Sequence, residues 1–178
     1  MRIISGKYKG KKLDGYDILG TRPTMDRVKE SLFGMIQNNI KESTCLDLFA
    51  GSGSLGLEAL SNGCKKCYFT DNNKQVINIL NKNIKSLNDQ NSIILNMDYI
   101  DALKYFKENN ITFDIIFLDP PYKLNLINNC LELIKDYNLL NDNGIIVCEY
   151  ETEKINDIFT LIKERKHGDK FIKIIAKQ

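Results

Sequence analysis

Apolar residues recur along this chain in two alternating rhythms. Short, mostly apolar runs at residues 45–49, 67–70, 92–95, 113–118 and 145–148 have the length and content of strands buried on both faces. Between them the apolar positions fall three and four apart, as on one face of a helix. Val76, Ile77, Leu80, Ile84 and Leu87 make the longest stripe. Ile100, Leu103 and Phe106 make a second, and Leu126, Ile127, Cys130, Leu131 and Ile134 a third. Residues 55–62 read as a helix closed by Gly63. Met25, Val28, Leu32 and Ile36 form the apolar face of an earlier helix that Thr24 is placed to cap.

Strands alternating with helices predict an α/β, Rossmann-like fold: a mostly parallel sheet with helices on both faces. The end of the chain breaks the rhythm. Residues 159–165 and 171–175 flank Gly168-Asp169 and are expected to close the sheet as an antiparallel hairpin. Near the start, residues 2–4 and 8–13 flank Ser5-Gly6, which predicts a small basic β-hairpin. One domain is expected over residues 1–178, with 1–22 as the hairpin extension and 23–178 as the core. At 178 residues such a domain buries enough surface to fold without disulfides or a structural metal.

Charge changes the picture only at the ends. The net charge is +2. Residues 1–30 nevertheless hold eight Lys and Arg against four acids, and residues 163–178 hold six against two. Two basic ends around an acidic middle suit a polyanionic partner, or two solvated surfaces. No secretory signal or long apolar stretch is seen, and the cysteine count is odd at five. A cytoplasmic protein with reduced thiols and no membrane association is therefore expected.

Candidate chemistry lies where strands end. Leu46-Asp47-Leu48-Phe49-Ala50-Gly51-Ser52-Gly53-Ser54-Leu55-Gly56 runs from a strand through a glycine turn into a helix. Such a turn lets the backbone approach a ligand, and the helix start offers N–H donors. Gly51-x-Gly53-x-x-Gly56 also fits a dinucleotide fingerprint. Asp47 inside the strand, placed to reach a ligand ammonium, and the lack of a second half-domain favour S-adenosyl-L-methionine. Asp71 ends the next strand and is suited to ribose hydroxyls, or to capping a helix. Asp98 ends the third and is suited to an adenine amino group, or to capping the helix at Tyr99. The expected cofactor set is Asp47, Phe49, Ala50, Gly51, Ser52, Gly53, Asp71, Asn72, Asp98 and Tyr99.

Asp119-Pro120-Pro121-Tyr122 follows the fourth strand, at the sheet edge where α/β folds bind ligands. The prolines stiffen the loop and remove two N–H donors. Asp119 and the Pro120 carbonyl can each accept one hydrogen of an –NH₂ group, and Tyr122 can stack on the base carrying it. Two acceptors that favour a pyramidal nitrogen free its lone pair for attack. The expected catalytic set is Asp119, Pro120, Pro121 and Tyr122.

This loop resembles the motif of amino-group methyltransferases. With the glycine turn and Thr21-Arg22-Pro23-Thr24-x-x-Arg27-Val28-Lys29-Glu30, the chain resembles, nearly end to end, the bacterial family that methylates N2 of a guanine in small-subunit (16S) ribosomal RNA. That resemblance implies a monomeric cytoplasmic enzyme acting on an assembling small ribosomal subunit. The expected RNA-contacting residues are Arg2, Lys7, Lys9, Lys11, Arg22, Pro23, Thr24 and Arg27. A DNA adenine or cytosine amino-methyltransferase shares the reactive motif but usually carries a separate recognition domain. A non-catalytic RNA-binding assembly factor would not need the intact loop. A nicotinamide oxidoreductase is a more distant alternative.

Two other signals carry little. Cys64-Lys65-Lys66-Cys67 is a lone C-x-x-C beside one distant histidine, so no metal is expected. His167, the only histidine, precedes a turn and is expected to be exposed.

Overall fold

The computed structural model describes residues 1–15 and 22–177; the side chains of residues 22–25 and 123 lie outside that description. Among the described residues, five α-helices and seven strands follow in chain order. They are α1 (Arg22–Ile40), β1 (Thr44–Asp47), α2 (Ser54–Ser61), β2 (Lys66–Thr70), α3 (Lys74–Leu87) and β3 (Ser92–Leu95). Then come α4 (Tyr99–Glu108), β4 (Phe113–Leu118), α5 (Ile127–Asp136), β5 (Leu140–Tyr150), β6 (Thr160–His167) and β7 (Lys170–Ala176).

The sheet order is β3-β2-β1-β4-β5-β7-β6. The first five strands run parallel, and β7 pairs antiparallel with both β5 and β6. Two apolar cores result. On one face α1, α2 and α3 bury Leu32, Leu57 and Leu80 against Cys45, Phe69 and Phe117. On the other, α4 and α5 bury Phe106 and Leu131 against Leu46, Ile116 and Cys148. The strands of the parallel part therefore show apolar residues to both sides, which is why their sequences read as mostly apolar runs.

Three local expectations come out differently. The N-terminal hairpin pairs antiparallel, but through one bridge between Arg2 and Lys12 rather than two strands. A short 3-10 turn at Gly6–Tyr8 replaces the start of the second arm. The first helix is already helical at Arg22, so Thr24 lies within its first turn rather than ahead of it. His167 is half-buried, with Nε2 enclosed and unpartnered, because it pairs with Lys170 at the β6–β7 turn.

Glu58 of α2 ties the N-terminal segment to the core. Its carboxylate is fully buried and accepts from Ile4 N at 3.0 Å, Ser5 N at 2.8 Å and Ser5 Oγ at 2.7 Å. Lys29 of α1 supplies the counter-charge at 2.9 Å and donates to the Arg2 carbonyl at 2.7 Å. One carboxylate on α2 thus gathers donors from the N-terminal segment and from α1. Among the described residues no helix is long and apolar enough to cross a membrane.

Candidate active site

The strand order reverses direction between β1 and β4, and a crevice opens there at the carboxyl ends of the parallel strands. It holds a cavity of about 750 Å³. Asp47 of β1, Asp71 after β2, Asp98 after β3, Asp119 after β4 and Glu149 of β5 all reach it. Parallel strands start at one edge and finish at the other, so residues far apart in sequence converge simply by ending strands.

The glycine turn forms one wall. Gly51 has φ +54°, and a side chain there would meet no protein atom within 4 Å, so the backbone lies bare against open space. Gly53 differs. It has φ +86°, and an added Cβ would lie 2.4 Å from Leu80 Cδ1, so its role is to let α2 start tightly over α3. Gly53, expected to touch the cofactor, does not line the cavity, whereas Phe49, Ala50, Gly51 and Ser52 do.

The carboxylates brace this turn from below. Asp47 Oδ2 accepts from Gly56 N at 2.9 Å. Burial lifts the Asp47 carboxyl to about 7, partly offset by the Gly56 N–H, with the Asp71 charge adding to the rise. Asp71 Oδ2 accepts from Gly51 N at 3.1 Å and its Oδ1 from Asn73 N at 2.9 Å. Asp71 is therefore not the cap of α3; Asn73 is, accepting from Gln75 N. Asp98 caps α4 through Ile100 N at 2.8 Å and Asp101 N at 3.0 Å, and it also lines the cavity. Asn72 and Tyr99 join the lining, and Phe49 and Tyr99 face each other with ring centroids 5.6 Å apart.

The opposite wall is the loop after β4. Pro120 is buried, Pro121 exposed, and Asp119 and Tyr122 half-buried. Tyr122 is held by its hydroxyl, which donates to Glu149 Oε1 at 2.7 Å and accepts from Lys170 Nζ at 2.6 Å. Burial pushes the Asp119 carboxyl well above its usual range; Glu149 and Asp47 push the same way, while Lys170 and the Tyr122 hydroxyl oppose. Burial, with Asp119 and Glu149 nearby, also raises the Tyr122 phenol.

Six acids and two lysines line the cavity among the described residues: Asp26, Asp47, Asp71, Asp98, Asp119 and Glu149 against Lys29 and Lys170. Such a surplus favours a ligand carrying positive charge. Glu149, Lys170, Met97 and Asp26 are among the lining residues that sequence reasoning missed. An acid directly after the apolar run 145–148 was the available signal for Glu149.

Of the expected RNA-contacting residues, Arg2, Lys7, Lys9, Lys11 and Arg27 lie outside the cavity. Arg2 pairs with Asp26 at 2.8 Å and Lys7 with Asp89 at 3.4 Å, so both carry counter-charges. Lys9, Lys11 and Arg27 are exposed. The side chains of Arg22, Pro23 and Thr24 lie outside the described residues. All five cysteines are free and buried, including Cys64 and Cys67.

Residues 1–176 match the model of the family described as conserved hypothetical protein 95. The Haemophilus influenzae protein named ribosomal RNA small subunit methyltransferase D is 42% identical over 173 residues, covering 94% of this chain and 89% of its own length. The chain belongs to this methyltransferase family. The Escherichia coli relative of the same name is 37% identical over 153 residues, covering 86% of this chain and 76% of its own. Among solved structures, the Escherichia coli protein yhhF matches with TM-score 0.86 at 31% identity, covering 100% of this chain and 98% of that one. In this methyltransferase the glycine turn and the Asp-Pro-Pro-Tyr loop line one crevice.

Proposed function

We propose that this methyltransferase uses S-adenosyl-L-methionine to methylate the exocyclic N2 amine of a guanine in small-subunit ribosomal RNA. The observation that carries the reading is that the bare Gly51 backbone and the Asp119–Tyr122 loop face one shared cavity. The ribosomal target is supported by the names of the relatives and by the basic N-terminal segment.

The residues present fit this cofactor. The acidic lining suits a sulfonium and an ammonium, and the buried Asp47, with no lysine or arginine among its perturbing neighbours, suits the positive end. Asp71 and Asn72 suit ribose hydroxyls, and Phe49, Asp98 and Tyr99 suit an adenine ring. Bound there, the cofactor supplies an electrophilic methyl group. Asp119 and the Pro120 carbonyl accept the two amine hydrogens, which turns the nitrogen lone pair out of conjugation with the base. Asp119 then takes the proton that the methylated nitrogen loses. A base inside folded RNA must leave its stack to reach this depth, and Tyr122 offers a ring beside the amine position.

The reading places the enzyme in the cytoplasm as a monomer acting on an assembling subunit, in keeping with its five free cysteines. The test is Asp119→Ala. Methyl transfer should vanish while affinity for S-adenosyl-L-methionine, measured by calorimetry, stays within about threefold. Equal loss of both would remove Asp119 from the amine-binding role.

A further inference from the structure

The Tyr122 hydroxyl, the Glu149 carboxylate and the Lys170 ammonium close a triangle. Its edges are 2.7 Å from Tyr122 to Glu149, 2.6 Å from Lys170 to Tyr122 and 2.6 Å from Lys170 to Glu149. The three groups come from the loop after β4, from β5 and from the first residue of β7. All three line the cavity, with Glu149 and Lys170 side chains 11% and 33% exposed. Apolar side chains would fill this wall without the cost of desolvating two charges. Both ions of the pair share the cavity lining with Asp119, which the mechanism needs ionised.

We propose that Glu149 and Lys170 are positioning residues of the reactive loop: they hold Tyr122 by its hydroxyl and balance the charge around Asp119. The inference rests on the methyl-transfer reading above. It makes the closing β6–β7 hairpin part of the active site, because β7 delivers Lys170. The groups that face Asp119 are Asp47 from β1, Glu149 from β5, Lys170 from β7 and Tyr122 from its own loop. Of these Lys170 is the one cation. Glu149 raises the proton affinity of Asp119 and Lys170 lowers it. Removing one or the other must therefore move the ionisation of Asp119 in opposite directions.

The test is a set of pH–rate profiles for methyl transfer to undermethylated small ribosomal subunits. The full chain is compared with Lys170→Met, Lys170→Arg, Glu149→Gln and Tyr122→Phe, with melting temperature and S-adenosyl-L-methionine affinity measured on each. Lys170→Met should move the acid limb up by about one pH unit and Glu149→Gln should move it down by about one. Lys170→Arg should restore the wild-type limb. Tyr122→Phe should lower kcat about tenfold with cofactor affinity unchanged. If Lys170→Met does not fold, the downward shift of Glu149→Gln and the unmoved limb of Lys170→Arg decide the matter. An active wild type whose variant limbs coincide, or move the same way, overturns the role of the pair alone. An inactive wild type sinks the methyl-transfer reading, and this inference with it.

Discussion

Asp47 and Gly56 are joined across the glycine turn by a hydrogen bond of 2.9 Å from the Gly56 N–H to Asp47 Oδ2. The bond fixes the end of β1 to the first turn of α2 and leaves a buried carboxylate beneath the place where the cofactor is proposed to sit. Two roles thus meet in one side chain: it braces the turn, and its charge awaits a cation.

Those roles separate in Asp47→Asn. An amide oxygen still accepts from Gly56, but the charge is gone. Because folding raises this carboxyl from 3.8 to about 7, its contribution to stability is complete below the lower value and lost as pH rises through the upper. At pH 8 the buried charge therefore burdens the cofactor-free protein. Asp47→Asn should raise its melting temperature by about 5 °C or more at pH 8. At pH 5 the gain should shrink, and affinity for S-adenosyl-L-methionine should fall at least about tenfold. Thermal melts at both pH values, with and without cofactor, check the sign.

Gly51 and Gly53 should respond differently to alanine. Gly53→Ala forces a methyl group 2.4 Å from Leu80 Cδ1 at φ +86° and should destabilise the fold by about 2 kcal/mol or more. Gly51→Ala meets open space and should cost only about 1 kcal/mol from its left-handed backbone. Its methyl group enters the proposed cofactor space, so binding should suffer instead. Denaturant melts and cofactor titrations on the two variants separate the cases.

Much of this arrangement is legible in the sequence, and for a definable reason. Strands buried on both faces are mostly apolar, so residues 113–118, with Asp114 as the one polar position, announce a central strand and Asp119 announces its end. Local chemistry carries the glycine turn and the Asp-Pro-Pro-Tyr loop as well. What escapes is set by tertiary contact. Nothing local tells that Glu58, within the α2 stretch, receives the backbone of Ile4 and Ser5 from 54 and 53 residues away. Lys170 reads as one more basic tail residue until β7 slots between β5 and β6 and brings it to Tyr122. The N-terminal hairpin is blurred for a related reason: Gly6 packs so closely on α2 that a Cβ would lie 1.9 Å from the Ser61 carbonyl oxygen, and the chain turns there in a 3-10 loop.

Glu58→Ala should loosen the N-terminal segment. It strips Ile4 N and Ser5 N of their acceptor and leaves the buried Lys29 ammonium without its carboxylate. A loss of about 3–5 kcal/mol is expected. Hydrogen exchange at the amides of Ile4 and Ser5 should accelerate well beyond the global change in stability.

The basic residues should divide by their partners. Lys9→Glu and Lys11→Glu, at exposed positions, should weaken binding to undermethylated small subunits and reduce the slope of log affinity against log salt. Arg2→Ala should act less on binding, since Asp26 already holds its guanidinium at 2.8 Å. Affinities at several salt concentrations give the slopes directly.

The most direct test is nucleoside analysis. Small ribosomal subunits lacking the modification are incubated with the enzyme and S-adenosyl-L-methionine carrying an isotopic methyl label, and the digested RNA is read by mass spectrometry. The account predicts one labelled product, N2-methylguanosine, absent when Asp119→Ala replaces the wild type. Label on a ring nitrogen, a ribose or an adenine, or label that persists in Asp119→Ala, would contradict it.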